Sequence, residues 1–200
     1  MSRVTVFDIA GAFLNKSPDE SLPVVKLQKL CFYAFGWYAH LTGESLYQEP
    51  IYAMEYGPVT GELLSMTQKI HDQKDHAITY QQLSALCTIA DLDVYVSMVI
   101  DYVWDRYGEM DGFDLAELSH DEATWKDAWE SRKGKRGDMP VQAIVDSFYT
   151  RKAPEDCKQL LPSPHRMSLS QREWEILESA PSQPYMPFVE KMKRTVSRAK

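Results

Sequence analysis

The stretch KLQKLCFYAFGWYAHLTG, from Lys26 to Gly43, sets Phe32, Tyr33, Phe35, Trp37 and Tyr38 within seven positions of one helical segment. A helix lying on a surface needs a single apolar stripe, so large rings on several sides require burial on more than one flank. At about 100° per residue, Leu27, Leu30, Cys31, Ala34, Tyr38 and Leu41 cover one side. Phe32, Phe35 and Ala39 cover another, and Gly36 marks a place where a neighbour approaches closely. A polar strip of Lys26, Lys29, Tyr33 and His40 runs between the two faces. The expectation is a central helix over about residues 22–42, packed on two faces and open along that strip. Leaving such rings in water forfeits about 1.5 to 3 kcal/mol each, a large share of a domain's stability. Ser21 is the expected N-cap, Pro23 suits the first turn, and Gly43 can close the helix in the left-handed conformation.

Shorter helices are expected around this one. Val6, Ile9, Ala10, Phe13 and Leu14 repeat at helical spacing behind Thr5, giving a first helix at about 5–15. Leu92, Tyr95, Val96, Val99, Ile100, Val103 and Tyr107 form the clearest stripe, with Asp91 in front as cap and Gly108 behind. Further helices are expected at 59–73, 80–89, 113–118, 121–131 and from Pro140 to Thr150, the last three capped by Asp111, Ser119 and Asp138. Ile51 and Tyr52 favour a strand, and a minor pairing of residues 51–55 with 77–80 is expected, with Gly57-Pro58 as a turn. The fold class is therefore mainly α, a compact helical bundle around the aromatic helix.

Two hundred residues are enough for one well-buried core and too few for two large domains. Composition changes near residue 150: residues 1–150 hold 12 basic and 23 acidic side chains, and residues 151–200 hold 10 and 6. An acidic helical domain over 1–150 is expected, followed by a basic, proline-punctuated extension over 151–200 with short helices near 168–179 and 187–198. The formal charge of −7 argues against a general affinity for nucleic acid or anionic lipid and points to neutral or basic partners. Cys31, Cys87 and Cys157 form no CxxC pair and fit reduced thiols. The opening MSRVTVFDIAGAFLNK has no signal-peptide h-region, and no apolar run reaches the roughly 18 residues of a membrane span, so a soluble cytoplasmic protein is expected.

Few clusters suggest chemistry. No glycine loop of nucleotide-binding type occurs. His71, Asp72, Asp75 and His76 lie close together without a zinc spacing. Ser119-His120-Asp121-Glu122 lacks a base on a separate element and reads better as a capping box of Ser119 with Glu122. Cys31 falls on an apolar face, where desolvation keeps a thiol inert. The basic run Arg132-Lys133-Gly134-Lys135-Arg136-Gly137 reads as a solvated loop. Residues 91–130 carry 12 acids against Arg106 and Lys126, a surface suited to a basic protein partner. No catalytic residue, metal or cofactor is expected, and the enzyme alternative is a metal-dependent hydrolase using His71, His76 and His120.

Leu27-Gln28-Lys29-Leu30, Tyr33, Gly36-Trp37-Tyr38, Gly43, Leu46 and Tyr56-Gly57-Pro58-Val59 resemble the first signature of the Panacea domain, found in SocA-like antitoxins and GepA-like phage proteins. Leu118-Ser119-His120, followed by Trp125 and Ala128, is similar to its second, with Ser119 in place of the usual threonine. The resemblance covers about residues 5–150. It implies an antitoxin, encoded beside a toxin gene on phage-related or mobile elements, that neutralises its cognate toxin by direct binding. At least one relative also delivers its toxin to a protease, so an adaptor role with a protease as second partner is the other alternative. Lys26, Lys29, Tyr33, Tyr56, Gly57, Pro58, His120 and Trp125 are expected to form or brace the toxin-recognition surface. Neither a membrane nor nucleic acid is an expected partner.

Overall fold

A computed structural model describes residues 4–70 and 77–152. The chain divides into two compact units, Met1–Pro164 and His165–Lys200, and every described residue belongs to the first. The helices expected near 168–179 and 187–198 lie outside the described residues. In order, the elements are α1 (Val6–Lys16), β1 (Ser21–Pro23), α2 (Val24–Thr42), β2 (Ile51–Met54), β3 (Gly57–Thr60), α3 (Gly61–Ile70) and β4 (Ala77–Thr79). There follow α4 (Tyr80–Leu86), α5 (Val94–Tyr107), α6 (Gly112–His120), α7 (Ala123–Ser131), β5 (Gly137–Met139) and α8 (Val141–Thr150). The fold is mainly α with small antiparallel sheets, as the periodicities predict.

α1 begins at a capping box: Asp8 N–H donates to the Thr5 hydroxyl, and the Asp8 carboxylate accepts from Thr5 N–H at 2.8 Å. Its second oxygen accepts from Ala90 N–H at 2.7 Å, tying α1 to the segment before α5.

α2 is the centre of the core and ends at Gly43, whose φ of 71° is the left-handed cap expected there. Ser21 does not cap it. That residue is extended in β1, too far ahead of Val24 to reach the first-turn amides, and the helix starts after Pro23 with no side-chain cap. The strip expected to be open is closed as well: Lys29, Tyr33 and His40 are each 1% exposed, and only Lys26 is half-buried. Periodicity shows which side of a helix is polar but not what will cover it, and here β3, α5, α6 and α8 surround it. Phe148 of α8 lies across Gly36, edge-on to Phe32 at 5.8 Å and to Trp37 at 6.2 Å, and any Cβ at position 36 would meet that ring. Tyr107 of α5 stacks on Tyr33 at 4.5 Å and takes a hydrogen bond from Trp37 Nε1 at 3.1 Å. His40 Nδ1 donates to the Phe148 carbonyl at 2.7 Å.

The strand pairing differs from expectation. β4 pairs with β1, not with residues 51–55, while β2 sits between β3 and β5 in a three-stranded sheet. Gly57 does belong to a turn, but GPVT continues from it as a strand, with Met54 opposite Gly57 and Ile51 opposite Thr60. Glu55 and Tyr56 keep negative φ and Gly57 takes +87°, the division of labour of a tight hairpin closed by a left-handed glycine. Gly137 and Asp138, read as loop and cap, are paired in β5, and α8 starts after Pro140 without a side-chain cap. Asp93 rather than Asp91 caps α5, accepting from Val96 N–H at 2.9 Å, whereas Asp111 caps α6 as expected. Ser119 does not cap α7; it lies inside α6, buried, and its hydroxyl donates to the Ala116 carbonyl at 2.7 Å. Among the described residues no helix is long and apolar enough to cross a membrane.

Candidate functional site

Residues far apart in the chain converge on the hairpin turn between β2 and β3. From α2, Lys29 Nζ donates to the Pro58 carbonyl at 2.8 Å, and the neighbouring Gln28 Oε1 accepts from Thr60 N–H at 2.9 Å. From the end of α6, His120 Nε2 donates to the Glu55 carbonyl at 3.1 Å. From α7, Trp125 Nε1 donates to the Met54 carbonyl at 3.1 Å, and its ring stacks on His120 at 4.1 Å. Ser119 fills the space beneath Gly57, which has room for no side chain: a Cβ there would lie 2.9 Å from Lys29 Nζ and closer still to Ser119 Oγ. Four side chains thus hold the backbone at Met54, Glu55, Pro58 and Thr60, a set of bonds that fixes the turn in one geometry.

The electrostatics follow from burial. Desolvation lowers the Lys29 amine to about 7. Burial, then the charge of Glu122, pushes the Tyr33 hydroxyl up, and that oxygen finds no hydrogen-bond partner among the described residues. Glu122 itself is paired with Arg151 at 2.5 Å, and the Arg151 guanidinium lies 3.8 Å from the centre of the Phe148 ring. Burial pushes the Cys31 thiol up as well, so it stays protonated in the core, as expected of it. Held by the Pro58 carbonyl, Lys29 supports the turn from within α2.

Five of the eight residues expected at the recognition surface are buried: Lys29, Gly57, Pro58 and Trp125 at the turn, and Tyr33 one helical turn further along α2, against Tyr107. His120 is partly exposed behind it. Lys26 points elsewhere, donating to the Gly108 carbonyl with its ammonium 5.9 Å from the Trp104 ring. Tyr56 alone projects well into solvent, at 54% exposure, and its ring meets Phe113. Sequence reasoning missed Gln28, Thr60, Ser119 and Phe113 as members of the site. Gln28 and Ser119 stood within the quoted motifs, but nothing in their spacing told which backbone atoms they would hold. His71 and His76 lie outside the described residues. Among those described, no three acidic, histidine or cysteine side chains gather as metal ligands. The basic run is exposed from Arg132 to Arg136, with Arg132 over the Trp129 ring at 3.4 Å and Arg136 over Tyr52 at 4.1 Å.

The fold and the turn define a mainly helical domain in which the central helix α2, with α6 and α7, clamps one β-hairpin. The chain belongs to the family described as antitoxin SocA-like, Panacea domain, whose model matches residues 27–126. That span opens just before Gln28 and closes just after Trp125, enclosing all four groups that hold the turn. No curated protein and no solved structure matches the chain.

Proposed function

We propose that this chain is the antitoxin of a toxin–antitoxin system, acting in the cytoplasm and neutralising a cognate protein toxin by direct binding rather than by chemistry. The observation that carries the reading is the clamped turn in a chain of this family: side chains from three helices are spent on immobilising Met54 to Thr60, leaving Tyr56 outward. A neutraliser needs a rigid face that loses little entropy on binding and a slow dissociation rate, and a preorganised turn supplies both. In this reading Tyr56 makes contact, Lys29, Gly57, Pro58, His120 and Trp125 brace it, Tyr33 fixes α2 against Tyr107, and Lys26 anchors α2 to the end of α5. The binding body is the helical domain over 1–150.

The test is growth of a host carrying the neighbouring gene, alone and together with this chain. Arrest is expected with the neighbour alone and growth restored with both. A neighbour that is harmless, or that arrests growth equally in both cases, removes the antitoxin reading.

A further inference from the structure

The hairpin turn carries a second unusual feature on its outer side. The Tyr56 ring meets that of Phe113 edge-on, 6.1 Å apart at 81°, and the two side chains are 54% and 69% exposed. A pair of large aromatics left in water on one edge is what a protein-binding site looks like before it is filled. Neither ring stands on yielding backbone. Tyr56 follows the carbonyl held by His120, and Phe113 N–H donates to Asp111 Oδ1 at 2.7 Å in the capped first turn of α6.

Charge tells what fits there. Glu55 adjoins Tyr56, Asp114 and Glu117 share the solvent side of α6 with Phe113, and all three are exposed. None of them has an ion-pair partner among the described residues, while Lys126 on α7 is committed to Asp121 at 3.3 Å. Nucleic acid and anionic lipid would be repelled by these carboxylates. A second copy of the chain docked edge to edge about a twofold axis would set the same carboxylates against one another.

The geometry points to the Tyr56–Phe113 edge as the docking site for a cationic, amphipathic segment of a partner protein, which lays an apolar side chain against the two rings and basic side chains against Glu55, Asp114 and Glu117. The inference rests on the antitoxin reading, in which that segment belongs to the toxin. Basic rim contacts steer association, and the rings hold the complex together.

The experiment uses the full chain with the purified product of the neighbouring gene as probe, titrated at low and high salt. Phe113→Ser and the double variant Asp114→Lys, Glu117→Lys change only exposed side chains. Asp91→Lys, in the exposed segment ahead of α5, is the charge-reversal control. Each is checked for wild-type circular dichroism and melting. Both edge variants are expected to bind at least about tenfold more weakly, the charge variant less so at high salt, and the control to stay within about twofold. If both edge variants bind within about twofold of wild type while the wild-type chain still protects growth, the edge is wrong and the antitoxin reading stands. If the wild-type chain neither binds nor protects, both fall. Self-association of the free chain that Phe113→Ser abolishes would assign the edge to a second copy and overturn the proposal.

Discussion

Gly57→Ala is expected to destabilise the chain by about 3 kcal/mol, combining roughly 1 to 2 for a β-carbon in the left-handed region with a similar cost for overpacking. The φ of 87° is strained for any L side chain. The new methyl group would meet Lys29 Nζ and Ser119 Oγ, both fully buried and both already bonded to backbone carbonyls. Lys29 cannot retreat without leaving the Pro58 carbonyl unpaired, and Ser119 is buried inside α6, so the strain spreads to α2 and α6 rather than relaxing at the surface. Such a loss is a large fraction of the total stability of a domain this size. Gly134→Ala is the matched control, since a Cβ there meets nothing within 4 Å and the residue is exposed. Urea unfolding at pH 7 reads both. A Gly57→Ala midpoint indistinguishable from that of Gly134→Ala would show that the turn is not clamped as described.

The second large effect is a pH dependence set by Lys29. Its ordinary value of 10.5 falls to about 7 on folding because burial penalises the ammonium and no carboxylate offsets the loss. Between those two values the unfolded chain binds a proton that the folded chain does not, so stability rises with pH across this window. Below pH 7 the full penalty applies, on the order of 5 kcal/mol. The buried acids act in the opposite sense: Cys31, Tyr33, Tyr47 and Tyr107 are all pushed up by burial, so deprotonation favours the unfolded chain once their ordinary range near 9 to 10 is reached. The expected curve therefore climbs by about 2 kcal/mol from pH 7 to 9 and then turns over. Lys29→Met keeps the side-chain volume and removes the charge, and the climb should vanish with it, even though the Pro58 carbonyl loses its donor. Urea midpoints at pH 7, 8 and 9 for both proteins decide the matter. A climb of equal slope in Lys29→Met would mean that Lys29 is not the group that titrates.

Much of the fold could be read directly from the sequence because its helices carry their own signals. Thr5, Gly43, Asp111 and the stripe from Leu92 to Tyr107 are local features, and each marks an element by contacts within one or two turns. The strands carry no such signal. SLP and GDM are three residues long, too short to show alternation, and each exists because a distant segment supplies its hydrogen bonds. The site was half legible for the same reason. Its residue types stood out, but the burial of Lys29 depends on β3, whose Pro58 lies 29 positions away, and the place of Ser119 depends on the missing side chain of Gly57. Spacing along one helix marks a polar side chain. It does not tell whether that side chain faces water or holds up another part of the backbone.

If the helical body fixes the hairpin turn and offers its outer edge to a toxin, as proposed, amide hydrogen exchange of the full chain, alone and with the neighbouring gene's product, should locate the contact there. New protection is expected to concentrate at residues 54–57 and in the first two turns of α6, with the amides of α1 and α4 unchanged. A complex that protects those distant helices and leaves the turn and α6 exchanging as in the free chain would overturn the proposal.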